Sequence, residues 1–165
     1  MKITEAIALE HATLSRVFDQ VERVLPRLRS SAEVGAMASL LEGLLRTHGK
    51  LEVELAFAVV DPALHQHKRR LATLHQEHHE LDERLGRVHQ AATCGQARQL
   101  LRGALRASRE HFRDEERHLF PVVERALGLG VLTALGEAFK KASKTKRKGA
   151  FSAVLHPTLG AGLVP

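Results

Sequence analysis

The chain twice sets a histidine and a glutamate four residues apart inside an apolar helical stripe, and no other feature constrains its fold as much. One pair, His111 and Glu115, lies in His111–Pro121 (HFRDEERHLFP), on a stripe of Leu105, Ser108, Phe112, Leu119 and Val122. The other, His48 and Glu52, lies in THGKLEVELAF, on a stripe of Leu41, Leu44, Leu45, Leu51, Leu55 and Val59. Residues three and four apart share a helix face, so each polar pair points where its apolar neighbours point. An imidazole and a carboxylate turned into a core are costly unless paired or bound to a metal. One such pair reads most simply as a hydrogen bond at a helix edge. Two on separate helices predict a shared buried site.

Two more histidines fall where apolar residues are due. Helix one is expected over about residues 4–28, with Ile3, Ile7, Leu14, Phe18, Val21, Leu25 and Leu28 inward, and His11 fills the slot between Ile7 and Leu14. Pro26 should loosen its last turn. Ser30 or Ser31 can cap helix two, which carries His48 and Glu52 and ends before Asp61-Pro62, where helix three should begin. The stripe of helix three is Leu64, Leu71, Leu74, Leu81, Leu85 and Val88, and its gap is His78. Thr93-Cys94-Gly95 makes a turn, helix four runs from about Gln96 to Leu127 with a kink at Pro121, and Gly128 and Gly130 break it. A short fifth segment, Val131 to about Ala142, turns Leu132, Leu135 and Phe139 to one side. Long helices with short links predict an all-α, antiparallel up-down-up-down four-helix bundle over residues 1–142, with a short fifth helix and a C-terminal tail, 143–165.

In such a bundle His11, His48, Glu52, His78, His111 and Glu115 can converge. Four imidazoles and two carboxylates form an intermediate-to-hard metal site without thiolates, which argues against structural zinc and iron–sulfur clusters. One metal rarely needs six protein ligands; two metals sharing two carboxylates do. The expected arrangement bridges them with Glu52 and Glu115, with His11 and His48 on one metal and His78 and His111 on the other. The single cysteine, Cys94, allows no intrachain disulfide and points to a reducing, cytoplasmic setting. Glu5 and Glu10 exclude a signal peptide at the start, and Leu55–Val60 is too short an apolar run to span a bilayer. Lys140, Lys141, Lys144, Lys146, Arg147 and Lys148 account for the whole net charge of +6, so no basic patch for nucleic acid is expected on the bundle. The tail is expected to pack on the bundle or on a second copy of the chain, a possible homodimer, and to be dispensable for the metal site.

The order His11, His48-x-x-x-Glu52, His78 and His111-x-x-x-Glu115, followed by Glu116 and Leu119-Phe120-Pro121, resembles the haemerythrin-like (HHE cation-binding) domain family over roughly residues 3–127. The resemblance implies two non-haem, carboxylate-bridged iron ions. Members of that family variously carry or sense oxygen, sense iron, react with nitric oxide or peroxide, or assist repair of damaged iron–sulfur centres. Oxygen carriers have a second histidine one turn before the position matching His78. Leu74 stands there in this chain, with His75 and His79 the nearest substitutes, so reversible oxygen carriage is not expected. Nor is the repair activity, whose members add a cysteine-bearing N-terminal segment.

The expected function is therefore a di-iron protein that senses or handles oxygen, nitric oxide or iron, with a small diatomic molecule or peroxide as its partner. Two alternatives remain open. One is an enzyme acting on peroxide, oxygen or nitric oxide, with His75 and Glu116 as candidate proton donors. The other is a helical interaction module with an empty or zinc-filled site. No residue is assigned a catalytic role. His65, His67, His89 and His118 are expected at the surface.

Overall fold

The computed structural model describes residues 1–57 and 68–155, and the side chains of 1–55, 73 and 76–145 among them. The Asp61-Pro62 helix start, His65, His67, His156 and the side chains of Leu71, Leu74, His75, Phe151, Val154 and Leu155 lie outside the described residues. No strand occurs among the described residues, and no helix is long and apolar enough to cross a membrane.

Helix α1 spans Ile3–Val24 and tightens into a 3-10 turn, Leu25–Arg27, around Pro26. Helix α2, Ser31–Leu51, opens on a capping box: the Ser30 hydroxyl accepts the Glu33 N–H at 3.2 Å, and the Glu33 carboxylate accepts the Ser30 N–H at 3.2 Å. A π-helical turn, Glu52–Phe57, continues it. Helix α3 covers Lys68–His89. Helix α4, Cys94–Asp114, starts at Thr93, whose hydroxyl accepts the Gln96 N–H at 3.2 Å. A second π turn, Glu115–Leu119, leads into α5, Phe120–Ala126. The irregularity expected at Pro121 thus begins upstream of it, and the proline follows directly on the π turn, in the first turn of α5. Helix α6, Leu129–Leu155, runs past the expected end at Ala142, so the boundary expected at 142/143 falls inside a helix.

Cross-helix contacts show the antiparallel order. His78 packs beside Gly49, whereas His89 packs beside Gly35 and bonds Glu42, so α2 and α3 run in opposite directions. Arg109 reaches Asp19 and Glu22 while Glu116 reaches His11, which sets α4 and its extension against α1 in the same way.

The core is divided. One apolar cluster holds Leu14, Phe18, Leu41, Leu85, Leu101, Leu105 and their neighbours. The other holds Ile3, Ile7, Leu51, Leu119 and Val123, closed by Leu132 and Phe139 of α6. His11 lies between Ile7 of one cluster and Leu14 of the other, and Glu115 between Phe112 and Leu119. A polar layer therefore separates the two halves of the core.

Candidate metal centre

That layer is made by all six residues singled out in the sequence. They form two sets of four, His11, His48, Glu52, Glu115 and Glu52, His78, His111, Glu115, with ligand-type atoms of each set within 4.8 Å of one another. The two carboxylates are common to both sets and divide their oxygens between them. Glu52 Oε1 faces His11 Nε2 at 3.4 Å and His48 Nε2 at 3.2 Å, while Oε2 faces His78 Nε2 at 3.3 Å. Glu115 Oε2 faces His11 Nε2 at 3.3 Å, and Oε1 faces His111 Nε2 at 3.4 Å. Five of the six are buried; His78 alone is partly exposed.

The four rings turn Nε2 inward, and three of them have a carboxylate on the outward nitrogen. Glu116 Oε1 hydrogen-bonds His11 Nδ1 at 2.9 Å and Glu77 Oε2 His111 Nδ1 at 2.8 Å, while Glu10 Oε2 stands as a charge 3.6 Å from His48 Nδ1, beyond hydrogen-bond reach. A carboxylate in this position fixes the tautomer and orientation of a metal-ligating imidazole. Phe112 holds two rings from the side: His11 stacks on it at 4.1 Å between centroids, and His48 meets it edge-on at 5.3 Å.

Among the inner atoms His11 Nε2 and His48 Nε2 meet each other at 3.1 Å, but others are left over. Glu52 Oε2, His78 Nε2, His111 Nε2 and both oxygens of Glu115 are buried without a hydrogen-bond partner. Buried polar atoms left unmet cost about 1–3 kcal/mol each. Cations placed in the two sets would satisfy them together, and nitrogen and oxygen donors without thiolate suit first-row transition metals.

The electrostatics fit a site built for positive charge. Burial disfavours a charged His11, yet its bonds to Glu115 and Glu52 outweigh burial and push it up to about 9. Burial likewise opposes a charged His48, but the Glu52 charge and Glu10 push it up to about 10. Glu52 is held well below the usual carboxylate range, because the charge of His48 and the bonds from the rings overcome desolvation. His78 is raised through Glu52 against its own desolvation, whereas burial keeps His111 low despite Glu115.

Glu10 and Glu77 were missed in the sequence. Glu10 carried a signal, since it lies three residues after Ile7 and four before Leu14, on the apolar stripe itself. Glu77 carried none, because its partner is on another helix. Glu116, named as a candidate proton donor, is a holder of the His11 ring. His118 is exposed beside Asp114, and His89 bonds Glu42 at the surface, as expected of both.

A family model described as Hemerythrin HHE cation binding domain matches residues 2–123 and, in a second match, 73–141. No curated protein and no solved structure matches the chain.

Proposed function

The chain belongs to the hemerythrin HHE cation-binding family, and on that footing we propose that it holds two iron ions and senses or handles oxygen, nitric oxide or iron itself. His11 and His48 hold one ion, His78 and His111 the other, and Glu52 and Glu115 bridge them. The observation that carries this reading is the division of each carboxylate's oxygens between the two histidine pairs. When bound, iron supplies a redox-active centre able to take a small exogenous ligand.

The chain's own residues supply the rest. Glu10, Glu77 and Glu116 keep the ring nitrogens aimed inward, and Phe112 keeps two rings from turning. A cavity of about 340 Å³ reaches His48, His78 and His111 past Gly49, Val53 and Leu81, and gives a small molecule a path to the site.

Protein purified without a histidine tag is expected to carry close to two irons per chain by elemental analysis. Glu52→Ala or Glu115→Ala should lose most of both, since each removes a donor from both ions. Full iron retention in both variants would overturn the bridged arrangement.

A further inference from the structure

Helix α6 stands outside the four-helix bundle, yet one of its side chains is linked to the cluster. Ser143 is buried and donates its hydroxyl to Glu10 Oε1 at 2.9 Å. The other oxygen of Glu10 faces His48 Nδ1 at 3.6 Å, and His48 Nε2 faces Glu52 Oε1 at 3.2 Å. Every group on this line is buried. Ser143 lies one turn beyond Phe139, which shares an apolar cluster with Ile3, Ile7 and Leu51. The docking of the apolar face of α6 therefore sets where the hydroxyl stands.

We infer that Ser143 and Glu10 are positioning residues for the metal site, so that its affinity for a cation depends on the docking of α6. The inference rests on the metal reading given above. Docked α6 fixes the Glu10 carboxylate, whose charge 3.6 Å from His48 Nδ1 strengthens that ring as a donor. Loss of such an outer partner costs a metal site about 10–100-fold in affinity. Glu10 differs from the other two ring holders in being buried and shared with an element outside the bundle; Glu77 and Glu116 keep 32% and 42% of their side-chain surface exposed. The coupling is reciprocal by thermodynamic necessity. Cation binding must favour the docked position of α6 by the same factor by which docking favours binding. Whether α6 is held or released then reports whether the site is filled.

The test is anaerobic titration with ferrous iron against a competing chelator, together with amide hydrogen exchange of α6 with and without iron. Glu10→Gln is expected to weaken binding by about 10–100-fold and Ser143→Ala by about tenfold. Exchange in α6 should slow by about tenfold on iron loading in the unaltered protein, and by less in Ser143→Ala. A merely structural Ser143 would change the exchange of α6 equally with and without iron. Glu10→Gln keeps the side-chain volume and can still accept the Ser143 hydroxyl, so it serves should Ser143→Ala weaken the fold. Unaltered affinity in both variants, or exchange in α6 indifferent to iron, overturns the coupling. Failure of the unaltered protein to bind iron overturns the metal reading beneath it.

Discussion

His11 and His48 hold protons in the volume where cations are proposed to sit. Their values are pushed up to about 9 and about 10 by the carboxylates around them, so the pair favours an added proton at pH 8, shared where the two Nε2 atoms meet at 3.1 Å. A ligating imidazole must be neutral, so metal and proton compete for the same nitrogens. Iron loading at pH 8 in weak buffer is expected to release protons from this pair, readable with a pH indicator. The same groups set the pH dependence of the metal-free fold. A histidine whose folded value exceeds the unfolded 6.5 stabilises fully below 6.5, and that contribution is lost as pH rises through 9 and 10. Glu52, held low, works from the other side: its contribution is present above its unfolded 4.5 and lost as pH falls through its folded value. The urea midpoint of metal-free protein should therefore fall between pH 6.5 and 10. The iron-loaded protein, whose rings are already neutral, should not share this decline. A midpoint for the metal-free protein that rises over that interval would show that the rings are not paired as described.

Glu52 and Glu115 each open a π turn, Glu52–Phe57 after α2 and Glu115–Leu119 after α4. Bonding from i to i+5 takes up one additional residue, which lets a His/Glu pair and the apolar residues after it all face inward; such turns are frequent at functional sites. The six inward residues were legible in the sequence because each interrupts or fills an apolar stripe of fixed period. The π turns were not, since a regular stripe encodes no change in the winding of its helix. Glu77 and Ser143 were not legible either, because their pairing depends on how two helices cross. The close passage of the N-terminus over α6 is another such contact. A Cβ on Gly136 would run into the backbone carbonyls of Met1 and Lys2, whereas one on Gly43 would meet nothing within 4 Å. Gly136→Ala is therefore expected to destabilise by about 1–3 kcal/mol, as overpacking does. Gly43→Ala, in the exposed interior of α2, should stabilise by about 0.5–1 kcal/mol. Chemical denaturation of the two variants checks both signs, and a neutral Gly136→Ala would mean that the N-terminus does not rest on α6.

Seen as a whole, the molecule opens its site more widely on one face than on the other. The face with His48, His78 and His111 meets the cavity of about 340 Å³, with Leu45, Leu81 and Phe112 among its apolar walls. On the far side of Glu52 and Glu115, an apolar recess walled by Ile3, Ile7, Leu119 and Val123 has room of only about 10 Å³. That is scarcely one water, so of these two openings it is the wider one, along His48, His78 and His111, that can bring a molecule from solvent to the centre. Each half would offer a metal two imidazoles and two carboxylate oxygens from the described residues, and a metal held there could also take an exogenous ligand. Apolar walls admit a small neutral molecule more readily than an ion. Iron-loaded protein reduced under argon is therefore expected to change its visible spectrum on exposure to oxygen or to nitric oxide. The change with oxygen should persist when argon is flushed through again, because the two ligand sets found among the described residues hold four histidines and no fifth. A spectrum that returns to its starting form under argon would restore the oxygen-carrier reading. Indifference to both gases would instead favour a helical interaction module whose buried cluster serves the fold.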